Sequence, residues 1–319
     1  MKKLCLFAGY DKNCIIRDYV IYYIKELSAL SDVYYMADNE INDEEKSKIM
    51  PYVKGAYGFH HKKYDFGSWQ ELIKIIGWEK ILEYNEIILA NDSCFGPLYN
   101  IKPLLEYAGQ NNCDFWGIQT GTREHIHLQT YFIVLKKQVA ASKVFKDFFE
   151  SVKEYKDKNE IIVYNEIRFT KLLLEAGFKA KKLINTHAGL YGEWRTCVKL
   201  GIPLIKTAVF KDIHEQHRFQ TLTGYDKLIK KYAKNYNIEL IDNYIKEMNI
   251  QRDYKNPDMK YRLYSIKRAL KDFRKWLIQI RIRKKVKIIR IFGIYLVDYL
   301  ENDLEPLFTT DQLKKFSKN

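Results

Sequence analysis

Two hydrophobic periods alternate along the first half of the chain. Residues 3–8 are expected as the first strand, with a continuous apolar run at 4–8, the pattern of a strand covered on both faces. Val20, Tyr23, Ile24 and Leu27 then recur at helical spacing and predict a helix over 17–30. A second strand is expected at 32–36, followed by the acidic stretch DNEINDEEKSKIM as a solvated loop and helix. A helix over 68–82 leads into an apolar strand at 86–90, which stops at Asn91-Asp92-Ser93 before Gly96-Pro97. Strands alternating with helices at this spacing predict an α/β domain with a mainly parallel central sheet. Residues 115–118 and 131–135 read as further, antiparallel strands. Helices follow at 142–155 and 165–176, the second stopped by Gly177. Beyond GIPLIK the chain turns rich in Lys, Tyr and Ile. It divides on this reading into an α/β domain, 1–210, and a basic, mainly helical region, 211–319.

Composition adds two constraints. The five cysteines are scattered without C-x-x-C or metal-site spacing, which is expected of reduced thiols in the cytoplasm. The apolar part of the amino terminus, Leu4 to Ala8, is too short for the core of a leader peptide. The formal charge of +14 is concentrated: residues 267–290 hold eleven Lys or Arg against the one acid Asp272. With Leu277, Ile280, Ile289 and Phe292 among these cations, the region is expected either to lie on an anionic membrane surface or to pack as basic helices on the first domain. No nucleic-acid-binding module accompanies it, and nucleic acid is not an expected partner.

Candidate chemistry follows from where ligands bind in open parallel sheets, beyond the carboxyl ends of the strands. Gly9-Tyr10-Asp11 follows the first strand, Tyr64-Asp65-Phe66-Gly67 precedes the third helix, and Asn91-Asp92-Ser93 ends the fourth segment. Asp11 and Asp65 are candidate nucleotide contacts, with Gly9, Tyr10, Tyr64, Gly67, Asn91 and Ser93 beside them. Asp92 is a candidate anchor for a divalent cation, Mg²⁺ or Mn²⁺, that bridges two phosphates; the alternative is an Asx-type cap of the next turn. Glu166, expected in the first turn of a helix, is a candidate general base or else a favourable first-turn acid. Asp114 and Trp116 are either cleft residues or a strand cap and a core aromatic. His125, His127 and Gln129 alternate as on one face of a strand, and with Lys206 are candidates for acceptor or phosphate contact.

The pieces YDFGSW, IILANDSCFGPL, DFWGI, HLQTYFIVL, YNEIRFTKLLLEAGFK and GIPLIK, in this order over residues 4–206, resemble the rhamnan synthesis protein F family of bacterial cell-surface polysaccharide glycosyltransferases. The resemblance implies a GT-A-like fold and inverting transfer from a nucleotide sugar, with Glu166 as base and Asp92 in the metal motif. That motif is Asp-x-Asp in GT-A enzymes and has one carboxylate here. It also implies rhamnose from dTDP-L-rhamnose as the donor, a lipid-linked oligosaccharide as acceptor, and work at the inner face of the cell membrane. UDP-galactofuranose or another donor, and an inactive glycan- or lipid-binding scaffold, are the alternatives.

Overall fold

The computed structural model describes residues 1–186, 190–191, 193–211, 222–250 and 303–318, with parts of 259–300. Its centre is an eight-stranded sheet. The strands are β1 (Lys3–Gly9), β2 (Asp32–Ala37), β3 (Gly55–Gly58), β4 (Glu86–Asn91), β5 (Phe115–Gly117), β6 (Phe132–Lys136), β7 (Ala180–Ile184) and β8 (Glu305–Phe308). They lie in the order β8-β7-β5-β6-β4-β1-β2-β3, and only β6 runs against its neighbours. Strand β3, β7 and β8 have too few apolar residues to stand out in the sequence, and the expectation that 115–118 is antiparallel is corrected: β5 runs parallel to β4.

Strand β1 is buried along its whole length because both faces of the sheet are covered. Leu4, Leu6 and Ala8 point to one face, where α2 (Tyr64–Ile76), α4 (Lys143–Glu150) and α5 (Arg168–Glu175) bring Trp69, Phe145 and Phe169. Cys5 and Phe7 point to the other, against Tyr23 and Leu27 of α1 (Asp18–Ser28) and Leu105 of α3 (Lys102–Gly109). Trp194 of α6 (Trp194–Lys199), Ile229 of α7 (Tyr225–Tyr232) and Ile241 of α8 (Glu239–Glu247) join that second core. The expected helix over 68–82 begins earlier and breaks at Gly77, whose φ of 83° ends it.

The region after 210 departs from the mainly helical expectation. Residues 278–300 form three antiparallel strands, Ile278–Arg283, Val286–Ile291 and Ile294–Leu300. The reason is legible in retrospect. Ile278, Ile280 and Ile282 alternate with Gln279, Arg281 and Arg283, a period of two in β-branched residues. The chain then returns to the central sheet as β8, which pairs with β7, and α9 (Thr310–Phe316) starts with a capping box at Thr309 and Gln312. Several basic side chains of 267–290, including those of 281–288, lie outside the described residues.

A two-residue strand, Cys94–Phe95, pairs antiparallel with Ile205–Lys206 and ties the end of β4 to the distant GIPLIK run. Gly96 makes this approach feasible. Its φ is 139°, and a Cβ there would stand 2.5 Å from the carbonyl oxygen of Pro203. Gly96→Ala is therefore expected to destabilise the protein by about 1–3 kcal/mol. Urea unfolding measures this, and an unchanged midpoint would mean that the Pro203 strand moves aside freely.

Candidate active site

Strand order reverses between β1 and β4, since the chain runs outward from β1 to β3 on one side and from β4 on the other. A crevice opens beyond the carboxyl ends of strands at such a point. Here it is a cleft of about 630 Å³ reached by Gly9, Tyr10, Asp11, Asp65, Asp92 and Ser93. Tyr10 and Tyr64 stand at its rim, 57% and 52% exposed, whereas most other aromatics among the described residues are buried.

Hydrogen bonds hold the floor in place. Asp92 Oδ2 accepts the Tyr10 N–H at 2.7 Å, and the Tyr19 hydroxyl donates to the Asp92 carbonyl at 2.8 Å, so the ends of β1 and β4 are joined. Asn91 bridges two candidates: its Nδ2 donates to Asp65 Oδ2 at 2.7 Å, while its Oδ1 accepts the Ser93 hydroxyl at 2.6 Å and N–H at 3.1 Å. That second pair is an Asx-turn, and it leaves the Asp92 carboxylate out of the capping role. Lys206, brought in by the pairing with Cys94–Phe95, donates to Ser93 Oγ at 2.8 Å and lies 4.2 Å from the ring centre of Tyr131.

Asp65 and Asp92 are both held above the usual carboxylate range, first of all by burial. Burial, and then the charge of Asp65, push Asp92 up to about 7, against the Tyr10 N–H and the charge of Lys211. Burial likewise pushes Asp65 up to about 6, with Glu166 and Asp38 adding to it and Lys206 and Asn91 opposing it. Among the described residues no three His, Cys, Asp or Glu gather as a complete metal cage. Two carboxylates lining the one cleft nonetheless fit a divalent cation that takes its remaining ligands from phosphate oxygens and water, because the cation's charge offsets the burial and the neighbouring negative charge that push them up.

Glu166 lies in a π-helical turn, Ile162–Ile167, just before α5, and not in a first helical turn as expected. A π turn inserts an extra residue and re-aims the side chains around it. Glu166 thereby faces His127 Nε2 at 4.0 Å and is close enough to raise Asp65. The expected shared face of His125 and His127 is corrected. The strand there is only His127–Leu128, so His127 is buried with Nδ1 2.8 Å from the His125 carbonyl, and His125 is exposed in a bend. Gln129 is half-buried beside them, its N–H bonded to the Gln119 carbonyl at 2.9 Å.

Two further expectations are corrected by position. Asp114 precedes β5, at the amino edge of the sheet opposite the cleft, where it accepts from Lys179 N at 2.7 Å and Gln138 Nε2 at 2.8 Å. Trp116 is a core residue 5.9 Å from the ring of Phe132. Asp11 lines the cleft with both oxygens engaged: Oδ2 accepts from Arg17 Nε and Oδ1 from Asn13 N–H. Gly67 is needed for spacing, since a Cβ there would stand 2.7 Å from Nδ1 of His61.

Asp38 is the cleft residue that pattern reading missed. It is 6% exposed and accepts the N–H groups of Lys62 at 2.8 Å and Tyr64 at 2.9 Å, which sets the loop carrying Asp65. Its signal was available: Asp38 follows β2 as Asp92 follows β4, but the acidic residues after it give the stretch the look of a solvated loop.

The raised carboxyls have a pH consequence. Both hold protons in the folded chain that the unfolded chain releases near pH 4, so stability falls as pH rises from about 4 through the folded values of about 6 and about 7. Asp92→Asn should remove part of this slope, giving a melting temperature equal to wild type near pH 4.5 and higher at pH 8. Thermal melts of both proteins across that range test it; parallel curves would refute the raised Asp92 carboxyl.

The solved structures that this chain resembles include the mannosyltransferase Ktr4p from S. cerevisiae in complex with GDP, with 8% identity, TM-score 0.36, and 56% of this chain and 69% of that one covered. Core-mannan synthase A from Aspergillus fumigatus in its Mn/GDP form matches at 8% identity and TM-score 0.34, over 54% and 69% of the two chains. A cytidylyltransferase from Leptospira borgpetersenii matches at 12% identity and TM-score 0.38, over 81% and 100%. An uncharacterized protein of Sinorhizobium fredii, y4gN, is 21% identical over 155 residues, 47% of this chain and 40% of its own, so this chain spans well under half of that relative. The sequence profile of rhamnan synthesis protein F matches residues 33–313, from β2 through the cleft to α9. The chain belongs to the rhamnan synthesis protein F family.

Proposed function

We propose that this chain is a glycosyltransferase that moves a sugar from a nucleotide diphosphate donor to a hydroxyl acceptor. The observation that carries the reading is the pair Asp65 and Asp92, two carboxylates pushed up chiefly by burial and further by neighbouring negative charge (Asp65 on Asp92, Glu166 and Asp38 on Asp65), at the switch point of a parallel sheet. A diphosphate with a divalent cation supplies the charge that such a pair lacks. The family name supports rhamnose, from dTDP-L-rhamnose, as the sugar, and a lipid-linked surface polysaccharide as acceptor.

Each residue then has a role. Tyr10 and Tyr64 flank the base and ribose at the rim. Asp92 and Asp65 hold Mg²⁺ or Mn²⁺, which when bound offsets the negative charge developing on the departing diphosphate. Lys206 and Lys211 face the same phosphates. Glu166 takes the proton of the acceptor hydroxyl, whose oxygen attacks the anomeric carbon from the face opposite the diphosphate as the C–O bond to phosphate breaks. One such displacement inverts the anomeric centre. His127, fixed through its Nδ1, orients the Glu166 carboxylate. The lipid-linked acceptor sets this work at the inner membrane face, with the basic stretch 267–290 and the exposed Ile278, Ile280 and Phe292 toward anionic lipid. No helix among the described residues is long and apolar enough to cross a membrane.

Asp92→Asn is expected to abolish transfer while the fold persists, because the amide keeps the volume and loses the charge. Turnover near wild type in a normally melting variant would leave Asp92 without a part in the reaction. Glu166→Gln should bind donor as before and lose about 10²–10⁴ in rate. Product analysis by NMR checks the same step, and a retained anomeric configuration would exclude it.

A further inference from the structure

A second cavity of about 640 Å³ lies on the outer side of the segment that carries Glu166. One wall is the stretch Ser151 to Lys156, and the other is a helical face on which Glu160, Tyr164 and Arg168 recur every four residues. Tyr155 and Tyr164 stack across it with ring centres 5.3 Å apart and planes 14° from parallel. Tyr164 is 48% exposed although its neighbour Asn165 is buried, so the π turn that aims Glu166 inward presents Tyr164 outward. A half-exposed aromatic contributes little to the core that α4 and α5 build.

Charge accompanies the rings. The amines of Lys153 and Lys156 make no ion pair among the described residues, and Lys153 Nζ lies 5.7 Å from the Tyr155 ring centre. Arg168 is held in place by Ser151 Oγ at 3.1 Å and by the face of Phe148, and it pairs with no carboxylate among the described residues. Glu160 is occupied locally, its Oε2 accepting the Lys156 N–H at 2.9 Å. Glu154 and Tyr155 line both this cavity and the cleft of Asp65 and Asp92, so the two spaces adjoin at these residues.

We infer that this groove is an acceptor subsite for a saccharide carrying a phosphate. The apolar face of a sugar ring rests on Tyr164, and Lys153, Lys156 and Arg168 take the phosphate, the mix of aromatic surface and few convergent charges that small-molecule sites use. A chain lying in the groove would reach past Tyr155 toward Glu166. The inference rests on the glycosyl-transfer reading and adds where the acceptor enters.

The test uses the full chain, with α-D-glucose 1-phosphate as probe and saturation-transfer NMR as readout. Calorimetry with UDP and dTDP in Mg²⁺ runs in parallel. Glucose 1-phosphate is expected to bind with nucleotide already present. Tyr164→Ala and the double change Lys153→Glu, Lys156→Glu should each weaken it about tenfold or more, Tyr164→Phe should not, and nucleotide affinity should be unchanged in all three. Displacement of the sugar phosphate by nucleotide would overturn the subsite, as would wild-type binding in the Ala and Glu variants or no binding at all. Inorganic phosphate binding as well as the sugar phosphate would reduce the groove to an anion patch and overturn it too. Failure of the wild type to bind any nucleotide diphosphate would count against the transferase reading itself, separately from these outcomes.

Discussion

Two like charges held near one another at the carboxyl edge of a sheet set the terms for the rest of this protein. Asp65 arrives on a helix and Asp92 at the end of a strand, and neither position relieves the other. Their neighbours share the burden. Asn91 donates to Asp65, the Tyr10 N–H donates to Asp92, and Lys206 and Lys211 supply positive potential to Asp65 and Asp92 respectively. These contacts lower the cost without removing it, and burial still dominates. Perturbed carboxyls in a cleft are a mark of functional sites generally.

Most of the structure around the pair serves to hold it. Gly96 permits the close pass of the GIPLIK run, and that run delivers Lys206 more than a hundred residues after Ser93. Asp38 gathers the N–H groups of the loop before α2 and fixes where Asp65 begins. Asp11 is itself fixed by Arg17, which also reaches Glu247 of α8, so a helix beyond residue 210 buttresses the first loop of the cleft. With β8 in the central sheet as well, residues on both sides of 210 contribute to one framework.

The π turn has the same economy of placement. One irregular stretch sets Glu166 toward His127 and Asp65 and turns Tyr164 to the outer groove. A regular α-helix repeats every 3.6 residues and would rotate these side chains differently.

The sequence by itself determined the strands and helices with strong periods. Strand β1, helix α1 and strand β4 stand within a residue or two of where their apolar spacing puts them, and with them the strand-end positions of Asp11 and Asp92. The physical reason is that burial on two faces or one leaves a local record, residue by residue. Partnership across the sheet leaves none. The short strands β3, β7 and β8 owe their existence to neighbours far along the chain, and whether Asp114 faces the cleft or the opposite edge depends on the direction of β5, which only pairing decides. His127 was separated from His125 by a bend that shortened their strand to two residues, and the π turn redirected Glu166 without changing its place in the sequence. The residue types at the site were legible from local spacing; their distances and mutual charge came from contacts between segments that spacing does not encode.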